Sequence, residues 1–388
     1  MVYVGIDVTK DKHDCFIANS DGEILYDVFT IQNGMDGFED LFFKIKTASR
    51  DLSKVKVGLE ATGHYSCNIL GFLHNKGLTT IVINPLYTSL SRKSVSLRKT
   101  QTDKVDARTI ASMIMSDVSL KPYSDTVYHN EDLKSLSRYR FDKVSDRSKL
   151  KQSVSRLVNI LFPELEKLVS TLHAKAVYEL LSEFPGAHQV ASANLKHLTA
   201  LLSTVSKGHF GREKANEIRE AARRSISSYL PAKSLELRHT TKLIRELDAE
   251  IAEIETEIKK IMDSIASPTL SVPGISYALG SVIVSEVGDF SRFDNPDKLL
   301  AFAGCSPSTF YSTHAKMEKR GSKYLRWALL NAAKYVCKWE PTFAVYLRKK
   351  LAEGKHYNVA VSHAAKKLVR LLYHLETTGE KYIPQTLS

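Results

Sequence analysis

Hydrophobic and polar positions change their period partway along the chain. Residues 2–8, "VYVGIDV", form an apolar run of strand length with one acid inside it. "DCFIANSDGEILYDVFTI" follows, two apolar runs around Ser20–Gly22, which predicts a hairpin. "FEDLFFKIKTAS" has helical spacing, and "KVKVGLEAT" is a short strand ending at Glu60. "YSCNILGFLHNKG" reads as a helix stopped by Gly77, and "LTTIVINP" as a strand stopped by Pro85. "TDKVDARTIASMIMS" is a helix with Thr102 as its N-cap. Hairpin strands followed by alternating helices and strands predict an α/β domain over residues 1–125.

Beyond residue 130 the strand signals fade. Leu150, Val154, Leu157 and Leu161 recur at steps of four and three until Pro163. Ile244, Leu247, Ile251, Ile254, Ile258 and Ile261 repeat the alternation with charged residues between them, an a/d seam. Two such helices can pair as an antiparallel hairpin in one chain, pair between chains as a coiled coil, or sit in an ordinary bundle. Residues 126–265 are therefore expected to be a helical, coiled-coil segment. Residues 266–388 are expected to be a mainly helical C-terminal domain. It opens with two apolar runs around Pro273–Gly274, the pattern of a helix-hairpin-helix or of a plain helix turn. A short helix, a Ser/Thr-rich loop, a basic turn and an apolar helix follow.

Composition narrows the function. The chain has 388 residues and a net charge of +12, which points to an acidic partner, nucleic acid before others. No run of about 18 apolar residues suggests a membrane span. The N-terminus has no basic and apolar leader. Four scattered cysteines form no CxxC pair and suggest no disulfide framework, so a cytoplasmic protein is expected.

Acids supply the candidate chemistry. Asp7 and Glu60 each close an apolar strand, where a carboxylate is costly to bury without compensation by a cap or a cation. Asp103 and Asp106 lie three apart, on one face of a helix. Singly, each has an ordinary explanation as a cap or a solvated face. Together, four hard oxygen donors over one sheet edge suit Mg²⁺ or Mn²⁺, ions that serve phosphodiester displacement. Arg92, Lys93, Arg98, Lys99, Lys104 and Arg108 surround the helical pair and would hold a nucleic-acid strand. A sugar-kinase or actin-like ATPase domain also begins with strand-Gly-Ile-Asp, but the Gly-rich phosphate loop and adenosine loop it needs are not evident. In residues 303–333 several hydroxyls precede Lys316, Lys319, Arg320, Lys323 and Arg326. A basic loop around a hydroxyl fits a phosphate electrophile better than an ester, although a hydroxyl-rich surface loop has the same composition.

Five segments in order carry a family resemblance: "GIDVTKDKHD", "GLEATGHY", "KTQTDKVDARTIA", "SVPGISYALGSVIVSEVGDFSRFDNPDKLLAFAGCSPS" and "KRGSKYLRWALLNAA". Together they resemble the DEDD transposases of bacterial insertion sequences in the family numbered one hundred and ten. Those proteins are relatives of the Piv invertase, described as bridge-RNA-guided recombinases. The resemblance implies a RuvC-like (ribonuclease H type) N-terminal domain, a coiled-coil segment and a C-terminal transposase domain. It places the acidic, Mg²⁺-bearing tetrad on Asp7, Glu60, Asp103 and Asp106, and the serine nucleophile on Ser312, ahead of Ser306 and Ser308. Thr313 stands where the family usually has Gly, and Cys305 where it often has Leu. The resemblance further implies double-stranded donor and target DNA, a noncoding bridge RNA, and homodimers assembling to tetramers. The alternatives are a metal-dependent nuclease or junction resolvase using water, and a nonenzymatic nucleic-acid-binding protein.

Overall fold

The computed structural model describes residues 1–60, 65–83, 88, 103–116, 125–306 and 321–384; the side chains of 103–105 and 125–130 lie outside that description. Two compact units divide the chain, Met1–Tyr128 and His129–Ser388.

The first unit is built on a five-stranded sheet of order β3-β2-β1-β4-β5. Its strands are β1 (Val2–Val8), β2 (Lys12–Asn19), β3 (Ile24–Gln32), β4 (Val55–Glu60) and β5 (Thr79–Ile83). β2 runs antiparallel to both β1 and β3, while β4 and β5 run parallel to β1 and to each other. Asn19 shapes the β2–β3 turn by accepting from the backbone N–H groups of Asp21 and Glu23. Gly22 takes the left-handed φ of +83° that the turn requires.

Side chains alternate across the pleat, so each strand supplies two faces. Val2, Val4, Ile6 and Val8 face one side, with Val55, Val57 and Leu59. There they pack against Phe38, Leu41, Phe42 and Ile45 of α1 (Met35–Ala48) and Ile69 and Leu73 of α2 (Ser66–Asn75). Each such side chain contributes about 1.5–3 kcal/mol by burial, before conformational entropy is counted. α3 (Asp103–Ser116) covers the opposite face, burying Ala107, Ile110, Ala111 and Ile114 at helical spacing.

The second unit is helical in its described residues. Its two longest helices are α4 (Asp125–Leu161) and α10 (Pro231–Ile265). They run antiparallel, because Arg140 pairs with Glu255, Arg147 with Asp248 and Arg156 with Glu236. Such partly exposed pairs add little each, about 0.2–1 kcal/mol. The apolar residues of α10 do more, and they divide between two cores. Leu237 and Ile244 join a core with Val154, Leu157 and Leu161 of α4. That core also takes in the short helices α5 (Leu165–Leu168), α6 (Lys175–Glu183), α7 (Ala187–Ser192), α8 (Leu195–Val205) and α9 (Arg212–Arg223). Ile254, Ile258 and Met262 pack instead with Leu133 and Val284.

The last core gathers α11 (Tyr277–Val287), α12 (Pro296–Phe302), α13 (Lys323–Trp339), α14 (Pro341–Ala352) and α15 (Tyr357–Thr378). Of the two apolar runs around Pro273–Gly274, the second is α11, but the first is only a 3-10 turn, Pro268–Ser271. Gly274, with φ +95°, does not open toward a ligand. A Cβ there would come within 2.7–2.8 Å of the Tyr335 carbonyl group and the Val336 nitrogen, so the glycine lets this turn lie directly on the backbone of α13. No described helix is long and apolar enough to cross a membrane.

Candidate active site

Two glycines bring α3 onto the sheet. A Cβ on Gly5 would lie 2.0 Å from the Ala107 carbonyl oxygen, and one on Gly58 would lie 2.9 Å from Ile114 Cγ2. Gly5 and Gly58 are register partners on the parallel strands β1 and β4. Any side chain at Gly5 would lift the helix from the sheet. Tyr3, two residues before Gly5, shares a cluster with Ile110 and Ile114, further along α3 than the Ala107–Ala111 contact. The helix therefore runs opposite to β1, and its first turn lies toward the Asp7 end of the strand.

Asp7 lies two residues beyond Gly5, and Glu60 two beyond Gly58. By the alternation of the pleat, both carboxylates are on the α3 face. Asp7 follows directly after the Ile6–Leu59 pair, so the two acids close adjacent strands at the same level. Glu60 pairs in register with Ile83, which belongs to the α3-side cluster. Both are buried, Asp7 at 9% and Glu60 at 8% exposure. Asp106 is half-buried in the first turn of α3. Asp103 begins that helix, one turn before Ala107, and its side chain lies outside the described residues.

A third buried acid escaped the sequence reading. Asp14 of β2 is the cross-strand partner of Asp7 and is 6% exposed. Thr30 of β3 donates its hydroxyl to Asp14 Oδ1. "KHDCFIAN" signals this only weakly, because the acid stands at the start of an apolar run and its facing partner is set by hairpin register. Two adjacent buried carboxylates with a third across the ladder repel one another, and oxygen-only donors suit a hard divalent cation. Among the described residues no three His, Cys, Asp or Glu side chains are gathered closely enough to hold an ion. The strand-end pair would need donors from the first turn of α3 to complete a site.

Of the predicted basic contacts, Arg108 has partners of its own. Its guanidinium pairs with Asp27 of β3 and stacks 5.6 Å from the Phe16 ring centre, which ties α3 to the outer strands. Arg92, Lys93, Arg98 and Lys99 lie outside the described residues, as does the side chain of Lys104.

The serine loop is described at its two ends. Ser306 is the last residue before it, and residues 307–320, with Ser308, Ser312, Lys316, Lys319 and Arg320, lie outside the description. The ends meet at two left-handed glycines, Gly304 at φ +64° and Gly321 at φ +124°. A Cβ on Gly321 would lie 2.2 Å from the Phe302 carbonyl oxygen and 3.1 Å from the Gly304 nitrogen. Ser322 then caps α13, accepting from the Leu325 N–H. Lys323 and Arg326 occupy the first turn of that helix, and the Lys323 ammonium lies 4.8 Å over the Tyr324 ring.

Beneath this stem is a second buried acid missed in the sequence. Glu286 of α11, with a side chain only 2% exposed, accepts from Ser322 Oγ at 2.7 Å. It also takes a bidentate pair from Arg138 of α4, at 2.6 Å from Nε and 3.0 Å from Nη2. Burial alone would raise the Glu286 pKa. The hydrogen bonds from Arg138 and Ser322 outweigh it and hold the carboxyl below the usual range. Arg138 in turn stacks 5.0 Å from Tyr324, and Phe141 meets Tyr324 and Trp327 edge-on. An acid inside "SVIVSEVGD" is the same signal that marks Asp7, and it could have been found by the same reasoning.

Comparison with known proteins assigns the class. The family model of the DEDD transposase of IS110 matches residues 4–163, spanning the sheet, α3 and α4. The model of the IS116/IS110/IS902 transposase family matches residues 267–348, from the turn before α11 into α14. The protein is thus an enzyme of DNA transposition and recombination, with DNA as its substrate, and a DEDD family implies use of a divalent metal. Among its relatives is an uncharacterized protein of insertion element IS116 from Streptomyces clavuligerus, 24% identical over 99% of this chain and 96% of the relative. Pilin gene-inverting proteins of Moraxella bovis and Moraxella lacunata are each 23% identical over 96% of this chain and 94% of theirs. The chain belongs to the IS110 family of transposases.

Proposed function

We propose that this transposase excises and inserts its element by serine attack on DNA phosphodiesters, with Ser312 as nucleophile and Asp7, Glu60, Asp103 and Asp106 as the ligands of Mg²⁺ or Mn²⁺. The observation that carries the reading is the buried Asp7–Glu60 pair under the first turn of α3. Sheet order β3-β2-β1-β4-β5 supports a RuvC-like, ribonuclease H type domain.

In this reading Ser312 Oγ bonds to phosphorus as the bond to a sugar oxygen breaks. The departing strand end takes up a proton and leaves as a hydroxyl, while the serine proton passes to solvent or a nearby base. The resulting phosphoserine diester retains the bond energy, so a second strand's hydroxyl can displace Ser312 without an external energy source. When bound, the divalent ion supplies charge stabilisation to the oxygens of the reacting phosphate. Lys316, Lys319, Arg320, Lys323 and Arg326 hold the strand, and the close contact of Gly321 with Phe302 and Gly304 brings together the described ends of the segment that carries Ser312. Arg92, Lys93, Arg98, Lys99 and Lys104 serve the strand near the acids. The excess of twelve positive charges supports a polyanion such as a noncoding bridge RNA as guide, and the assembly proposed on the DNA is a tetramer formed from dimers.

The test is a covalent adduct. Wild-type protein, Mg²⁺ and labelled element-end DNA should give a protein–DNA band that resists denaturant, and Ser312→Ala should abolish it with DNA binding retained. An undiminished adduct in the variant rejects the serine. Cut DNA carrying no protein assigns the attack to water instead.

A further inference from the structure

We propose that the outer face of α13, where it meets the start of α15, is a binding site for unpaired bases of the DNA strand that leaves the serine loop. An open cleft of about 560 Å³ lies there, lined by Asn331, Lys334, Tyr335, Lys338, Leu347 and Tyr357. Tyr335 is 51% exposed and Tyr357 is 46% exposed, and Trp339 beyond them is 62% exposed. Tyr335 and Trp339 one turn apart on α13, with Tyr357 at the start of α15, form an exposed aromatic patch that is costly unless a partner covers it. A core role does not account for them, because Ala332, Ala333 and Val336 already fill the inward side of α13.

Charge selects the partner. Residues 323–352 contain seven Lys and Arg and a single acid, Glu340. Glu340 is 1% exposed and is spent capping α14 through the Phe343 N–H at 2.8 Å. Lys334 and Lys338 have no carboxylate partner among the described residues, and the Lys338 ammonium lies 5.4 Å over the Trp339 ring. Flat aromatic faces between unpaired ammonium groups match the two halves of a single strand, stacking for the bases and cations for the phosphates. A second copy of this chain, equally basic here, would meet like charge. Paired bases offer no free faces, which separates this surface from a duplex-binding one.

Position identifies the strand. Ser322 ends the serine loop and begins α13, and Tyr335 lies thirteen residues on, about 20 Å along the helix. That is the reach of a few nucleotides. Placement of the strand at the loop rests on the serine reading above, whereas the binding itself does not. The substrate is DNA, so an unpaired DNA segment next to the cleaved phosphodiester is the committed occupant.

The experiment uses the full chain with EDTA present, so that neither metal nor serine chemistry contributes. Fluorescence anisotropy reads binding of a labelled single-stranded DNA of about 15 nucleotides, the same sequence as duplex, and the same sequence as RNA. Tyr335→Ala with Tyr357→Ala should weaken single-stranded DNA binding about 5- to 100-fold and duplex binding less than about twofold. Lys334→Gln should lower the slope of log affinity against log salt by about one. Equal loss on duplex and single strand, or no loss, overturns the proposal. A loss confined to RNA assigns the face to RNA and overturns it as well. So does a change in oligomeric mass of the tyrosine variants, which would give the face to a second copy. Should the Ser312 adduct fail while single-strand binding falls as expected, the serine reading is lost and the base site stands.

Discussion

Glu286 holds the stem of the serine loop, and its removal tests that role. In Glu286→Ala, Arg138 loses a bidentate carboxylate and Ser322 loses its acceptor. Breaking a buried ion pair from one side costs about 3–5 kcal/mol. Here the stranded partner is not fully buried: the Arg138 side chain is 43% exposed and can rehydrate. The estimate therefore falls to roughly 2–4 kcal/mol. For a unit of this size, each kcal/mol shifts Tm by about 2–4 °C, which gives a loss of roughly 4–16 °C by differential scanning calorimetry. The pH dependence has a definite sign. The folded pKa of Glu286 lies below its unfolded value, so the contribution is present above the unfolded carboxylate pKa of about 4.3 and is lost as pH falls through the folded value. The Tm gap between wild type and Glu286→Gln should therefore be wide at neutral pH and close in acid. A Glu286→Ala Tm within about 1 °C of wild type, or a double-mutant cycle with Arg138→Met giving less than about 0.5 kcal/mol of coupling, would refute the clasp.

Three other outcomes are expected. Gly5→Ala, whose Cβ meets backbone at 2.0 Å, should destabilise the first unit by the upper end of about 1–3 kcal/mol or more in urea unfolding, and more than Gly58→Ala, which meets only isoleucine side chains. Asp7→Asn should lose the Mg²⁺-dependent stabilisation of the wild type, about 2.7 kcal/mol at a hundredfold excess over Kd; an unchanged Mg²⁺ response would remove Asp7 from the metal site. Arg147→Ala, which breaks a half-buried pair with Asp248 (side chains 25% and 43% exposed), should cost about 1 kcal/mol, and that cost should shrink in high salt.

Local elements can be read from the chain, because period and turn chemistry are written in neighbouring residues. The apolar β1, the Ser20–Gly22 turn, the helix stopped by Gly77 and the helix that carries Ile244 to Ile261 were all legible from spacing; the apolar positions of that last helix divide between two cores. It also marked Asp7 and Glu60, since a carboxylate ending an apolar run is a local anomaly. The ordered motifs pointed to the family that the matches over 4–163 and 267–348 establish. Pairing across distance was decided by the tertiary structure. Register alone sets Asp14 beside Asp7 and levels Gly5 with Gly58. The long helices could have paired within a chain or between chains, and the charge partners of α4 and α10 fix an antiparallel pair within one. Periodicity made the residues before Pro273 look helical, but they form a 3-10 turn, Pro268–Ser271, capped by Ser267 through the Thr269 N–H. Glu286 could have been flagged as a buried acid, but its partners lie 148 and 36 residues away. Burial turns a local pattern into a site only when the fold supplies the other half, and no short stretch of sequence contains both halves.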